Sequence, residues 1–215
     1  MMITDATEEE EYYSLIRRAF DALAPMYDFI VIPLAGLREK VVSFAGAADG
    51  ARILDVATGT GKQAFAFARQ GYEVIGIDLS EAMLNIAHQK NKYGNVKFEV
   101  ADATTLRFPS NSFDVVCVSF ALHDMPLFIR EKVLKEMVRV TRPNGTIVIV
   151  DYDLPRNPIG RALIYHLITL YEGEYYKQFI ASDLEALLGK TGIEINVKLS
   201  VLLGAGRIVK GSRMV

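Results

Sequence analysis

Hydrophobic positions in the first half of the chain fall into short β-branched runs, each closing on an acidic residue and followed by a stretch with helical spacing. Arg52 to Val56 leads into Lys62 to Arg69, Tyr72 to Ile77 into Asp78 and a helix Glu81 to Lys92, and Val96 to Val100 into Asp102. Val96-Lys97-Phe98-Glu99-Val100 alternates as a strand, and the succession of strands and amphipathic helices predicts a mainly parallel sheet. Phe113 to Val118, a helix Leu127 to Val140, the turn Arg142-Pro143-Asn144-Gly145 and a strand Thr146 to Val150 continue the series. Near the C-terminus the period changes. Ile193, Ile195, Val197, Leu199 and Val201 alternate strictly, Gly204-Ala205-Gly206 turns, and Arg207 to Lys210 returns, which is an antiparallel hairpin. The expectation is an α/β fold: a seven-stranded, doubly wound mixed sheet with an antiparallel C-terminal hairpin.

Around this series lie helical additions. Residues 7 to 24 open on Glu8-Glu9-Glu10-Glu11, acids suited to a helix start, and Pro25 is expected to stop that helix before Met26-Tyr27-Asp28. A second helix runs Leu34 to Ala45. Pro126 suits a first helical turn, with Asp124 near its cap, and Asn157-Pro158 starts another helix through Leu170. Ser182-Asp183-Leu184-Glu185 reads as a capping box. One domain of 215 residues follows: an N-terminal helical cap (1–50), a cofactor-binding core (51–151), a helical insertion (152–181), and a last helix with the hairpin (182–215).

Candidate chemistry concentrates where the first strand ends. Asp55-Val56-Ala57-Thr58-Gly59-Thr60-Gly61 is a strand, a tight turn and a helix start, where glycines admit a ligand to backbone N–H groups. The spacing is wrong for a phosphate-binding P-loop. Gly59-Thr60-Gly61-Lys62-Gln63-Ala64 does match a dinucleotide fingerprint, with Asp78 at about 20 residues on. Asp55 argues against it, because a carboxylate at the turn suits a cation better than an anionic pyrophosphate.

Taken with Asp78-Leu79-Ser80 and Asp102-Ala103, this turn resembles the class I S-adenosylmethionine-dependent methyltransferases, and residues 20 to 151 are most similar to the ubiquinone/menaquinone-biosynthesis type. The resemblance implies S-adenosyl-L-methionine as cofactor, a small organic acceptor and no metal. It implies cofactor contacts at Tyr27, Asp55, Ala57, Thr58, Gly59, Gly61, Asp78, Leu79, Met83, Asp102, Ala103 and Ser119. Asp78 would take the ribose hydroxyls, Asp102 and Ala103 the adenine edge, and Leu79 and Met83 its faces. Ala57 stands where the family usually has its first glycine. Ala121-Leu122-His123-Asp124 stands where quinone-type relatives carry a Gly-Ile-Arg-Asn-like stretch, so a quinone-precursor acceptor is in doubt. His123, as a neutral imidazole able to take a proton, is the candidate catalytic group.

Composition narrows the partners. The net charge of −2 with dispersed basic residues points away from nucleic acid. The single cysteine, Cys117, sits in an apolar run and reads as core. No apolar stretch is long enough to span a membrane, and a cytoplasmic protein is expected. The tyrosines of 152–181 either roof an acceptor pocket or pack on the core or on a second subunit of a homodimer. Two rival functions stand beside methyl transfer: a nicotinamide-dinucleotide-dependent oxidoreductase and a non-catalytic S-adenosylmethionine-binding protein.

Overall fold

The structure is a computed structural model that describes residues 5–170 and 172–214. Its strands are β1 (Arg52–Val56), β2 (Glu73–Asp78), β3 (Val96–Val100), β4 (Phe113–Ser119), β5 (Thr141–Tyr152), β6 (Ile193–Val201) and β7 (Gly206–Arg213). They form one seven-stranded sheet in the order β3-β2-β1-β4-β5-β7-β6. The first five strands of that order run parallel, and β7 lies antiparallel between β5 and β6. The helices are α1 (Asp5–Ile30), α2 (Ala35–Ala45), α3 (Lys62–Ala68), α4 (Glu81–Lys90), α5 (Leu127–Val140), α6 (Pro158–Thr169), α7 (Glu174–Ala181) and α8 (Leu184–Lys190).

Alternate side chains of the central strands feed two separate cores. Leu54, Val56, Val116, Val118, Ile147 and Ile149 pack with α5, α7 and α8. Ile53, Val115, Cys117, Val148 and Val150 pack with α2, α3 and α4 on the other face. Both pleat faces are apolar because both are covered, so β4 carries Val115-Val116-Cys117-Val118 without a polar interruption. With β1 lying between β2 and β4, connections leave it in opposite directions, and the carboxyl ends of these strands open a crevice there.

Three local expectations need correction. Helix α1 does not stop at Pro25 but continues to Ile30. The turn beyond the proline is tied down by Asp28, which accepts from Thr60 Oγ1 at 2.6 Å and pairs with Lys62 and Lys90. Those contacts compensate for the backbone bond that proline cannot make. The 142–145 turn is an irregularity within β5, where the pairing jumps from Phe113–Thr141 to Val115–Thr146 and Asn144 takes φ 66°. The cap of α8 is Asp183, accepting from Ala186 N, while Ser182 Oγ donates to Phe179 O and accepts from Arg130.

Candidate active site

The turn after β1 is bent by three left-handed residues, Ala57 (φ 53°), Gly59 (φ 55°) and Gly61 (φ 79°). Thr58 N donates to Ile77 O at 2.9 Å, pinning the turn to β2. At Gly61 a Cβ would stand 2.6 Å from Phe98, so the glycine serves the close approach of α3 to the sheet. Asp55 is 1% exposed, and Thr58 Oγ1 donates to it at 2.6 Å. Burial pushes its pKa up to about 7, against the pull of the Thr58 and Ala64 hydrogen bonds. Among the described residues no ion pair involves this carboxylate. Asp78 Oδ2 accepts from Gly59 N at 2.8 Å and Oδ1 from Ser80 N at 2.9 Å, and burial raises its pKa as well. Asp102 Oδ1 accepts from the backbone and the hydroxyl of Thr104, both at 2.8 Å.

Two cavities meet over these strand ends. The larger, about 720 Å³, has Gly59, Asp78, Leu79, Met83, Asp102 and Ala103 on its floor and Tyr12, Tyr13, Ile16 and Phe20 of α1 as its roof. The smaller, about 520 Å³, is lined by Asp55, Thr58, Ser119, Arg38 and Gln63. Tyr27, Ala57 and Phe120 border both. Eleven of the twelve residues expected to contact a cofactor therefore face one continuous cleft, and Gly61 alone does not. Among the described residues no lysine, arginine or histidine lines the larger cavity, whereas the smaller contains Arg38 and Lys62.

Beyond β4 the chain is held by Asp151, which is fully buried at the end of β5. Its carboxylate accepts from Leu122 N at 3.0 Å, His123 N at 3.3 Å and His123 Nδ1 at 2.7 Å. Arg130 of α5, itself buried, donates to Met125 O at 2.9 Å and Ser182 Oγ at 3.0 Å, bracing the same loop against α7. His123 lines neither cavity and is 3% exposed. Its Nε2 lies 3.4 Å from Asp124 and 3.4 Å from Glu172, whose Oε1 also accepts from Tyr152 OH at 3.1 Å. Burial opposes charge on this ring, but the Asp151 and Asp124 carboxylates and the hydrogen bonds to Asp151 and Glu172 lift its pKa well above the ordinary histidine value. The expected base is thus set behind the cleft and not in it, and its surroundings favour the protonated ring over the neutral one. It belongs to a cluster whose donor atoms on His123, Asp124 and Glu172 all lie within 4.8 Å of one another.

Residues 53–145 match a family described as a methyltransferase domain. The demethylmenaquinone methyltransferase of Renibacterium salmoninarum is 38% identical over 141 residues, 63% of this chain and 58% of that protein. That of Geobacillus kaustophilus is 35% identical over 188 residues, covering 82% of this chain and 75% of the relative. This chain belongs to the class I S-adenosylmethionine-dependent methyltransferases, of the ubiquinone/menaquinone-biosynthesis type. The match to the Renibacterium relative spans about three fifths of that protein's length. The fold is shared with the magnesium protoporphyrin IX methyltransferase of Synechocystis, solved with SAH, at TM-score 0.74 and 19% identity over 93% of this chain and 99% of that one.

Several residues of this cleft were not legible in the sequence. Asp124 is no helix cap: α5 is preceded by Pro126 without a side-chain cap, and Asp124 lines the larger cavity in front of His123. Phe120 holds φ 51°, a costly conformation for a residue with a Cβ, with its N–H on Val150 O at 2.7 Å. Tyr12 and Tyr13 sit on α1 at ordinary helical spacing, and only the packing of α1 over the strand ends brings them into the cavity. The Asp124 signal was present as the departure from the family's Arg-Asn pair.

Proposed function

We propose that this protein transfers the methyl group of S-adenosylmethionine to a small organic acceptor. Bound in this cleft, the cofactor supplies a methyl group already activated by positive sulfur, so the protein's task is alignment and exclusion of water. The observation that carries the reading is Asp55, a buried carboxylate without an ion-pair partner among the described residues, opening on the smaller cavity. An α-ammonium group is the cation that it fits. Asp78 stands one strand over, where two ribose hydroxyls would meet its oxygens, and Asp102 with Ala103 one strand further, lining the same cavity. A dinucleotide would instead set a pyrophosphate against Asp55.

Adenosine then occupies the larger cavity, methionine the smaller, and the methyl group lies near Tyr27 and Phe120, where the two join. The segments before β1 and after β5 would enclose the acceptor, which the tyrosines of α1 and Tyr152 suit in being aromatic. The acceptor named for both relatives is a demethylated menaquinone, which supports a quinol-like ring. The test is incubation of protein, S-adenosylmethionine carrying a deuterated methyl group, and 1,4-dihydroxynaphthalene, followed by mass spectrometry. A product carrying one CD3 group in place of one hydrogen, with stoichiometric S-adenosylhomocysteine, is expected. Absence of both, from protein that binds both compounds, would refute methyl transfer to this class of acceptor.

A further inference from the structure

We infer that Asp124 is the acceptor-side base, that His123 and Asp151 are its positioning residues, and that the acceptor is an uncharged or cationic molecule presenting an O–H or N–H group. The inference rests on the methyl-transfer reading and adds the group that removes the proton. Asp124 is the carboxylate of the larger cavity that lies beyond those assigned to the cofactor, between Ala121 and Met125. His123 Nε2 stands 3.4 Å behind it, and His123 is in turn fixed through Nδ1 to a carboxylate buried at the end of β5. The groups facing it are the carboxylates of Glu172 and Asp151, which raise its pKa, the His123 ring, which lowers it, and the phenols of Tyr12 and Tyr27 on α1.

Among the described residues no lysine, arginine or histidine lines this cavity, so an acceptor bearing a carboxylate or phosphate would meet Asp124 with only the His123 imidazole behind it to offset the repulsion. An O–H or N–H group meets it as a hydrogen-bond donor to an ionised acceptor. In the reaction the acceptor's O–H or N–H bond breaks and the proton passes to an Asp124 oxygen. The electron pair left on the acceptor forms the bond to the methyl carbon, and the pair of the broken S–C bond remains on sulfur, which becomes a neutral thioether. Burial raises the Asp124 pKa to about 6 against the lowering effect of the His123 cation, so the carboxylate is ionised at neutral pH yet basic enough to take a proton. The Arg-Asn pair expected of quinone-type relatives is replaced here by His123-Asp124, an anionic group in place of a neutral amide.

Two arms test this. In the first, protein loaded with S-adenosylhomocysteine is titrated with 1,4-dihydroxynaphthalene and with its 2-carboxylate. Binding of the diol at least tenfold tighter than the carboxylate, with the preference lost in Asp124→Asn, is expected. Equal or tighter binding of the carboxylate, or no binding of the diol, overturns the acceptor class whether or not turnover is seen. In the second, diol turnover in the wild type should fall on the acid side with a midpoint near 6, as the Asp124 carboxylate protonates. Asp124→Asn should lose roughly 10²-fold in turnover, with cofactor affinity within twofold. Asp124→Glu should recover part of the rate. His123→Gln, which removes the cation that lowers the Asp124 pKa, should move the acid limb to higher pH. Wild-type turnover in Asp124→Asn, or an acid limb that His123→Gln leaves in place, overturns the assignment. A wild type that binds the diol but never forms S-adenosylhomocysteine fails the methyl-transfer reading instead, leaving the binding arm to judge Asp124.

Discussion

Asp55 is a carboxylate that folding buries with no ion-pair partner among the described residues, and that burial gives the proposed cofactor site a pH dependence. With its pKa raised to about 7 by burial, the free site is largely protonated at pH 6 and largely ionised at pH 7.5. A cationic α-ammonium group binds only the ionised form, so proton release accompanies binding as pH falls through this range. Affinity for S-adenosylmethionine should therefore weaken roughly tenfold between pH 7.5 and 6, while Asp55→Asn should bind weakly with a flat profile over the same range. Titration calorimetry at the two pH values decides it, and a pH-independent wild type would show that no cation meets Asp55. Ala57, two residues on, is held at φ 53°, which costs a residue with a Cβ about 1–2 kcal/mol. Ala57→Gly relieves that strain and returns about half of it as unfolded-chain entropy, so a gain of about 0.5–1 kcal/mol is expected in denaturant unfolding. A loss of stability would mean that the methyl group contributes packing that outweighs its strain.

Elements whose burial follows a regular local spacing were legible from the sequence: β1 is covered on both faces, the edge strand β3 alternates, and α5 repeats its apolar positions at helical intervals. β1, β3 and α5 fall on the residues expected, and the hairpin of β6 and β7 was marked by strict alternation before glycines. Helix ends depending on a distant partner were not legible. Pro25 reads as a stop, yet Asp28 is secured by Thr60, Lys62 and Lys90, more than 30 residues away. Ser182 reads as a cap, yet Arg130 takes its hydroxyl as an acceptor. Asp124 reads as a helix start, and only the Asp151 clamp on the preceding loop turns it toward the cavity. The same clamp carries His123 into the interior. Helix α1 is tied to the core by Asp21, which accepts from Ser80 Oγ at 2.6 Å, as well as by Asp28, and it roofs the larger cavity. Filling that cavity should hold the roof down. Amide exchange over residues 12–30 should slow when S-adenosylmethionine is added, while α8 should be unaffected. Unchanged exchange in α1 would place the ligand elsewhere.

At the scale of the whole molecule, the doubly wound sheet gathers the ends of β1, β2, β3 and β4 into one crevice, and the chain places a carboxylate at each of the first three. Such an edge repels a dinucleotide's pyrophosphate and favours a ligand with a cation at one end and hydroxyls in the middle. Among the described residues no helix is long and apolar enough to cross a membrane. The fold alone does not separate methyl donors from dinucleotides, since both use strand-turn-helix units of this kind; the placement of the carboxylates does. The most direct measurement is calorimetric titration of the intact protein with S-adenosylmethionine and, separately, with NADH. One molecule of S-adenosylmethionine should bind per chain, Asp78→Ala should weaken that binding at least tenfold, and NADH should give no saturable heat. Tighter binding of NADH than of S-adenosylmethionine would contradict the account.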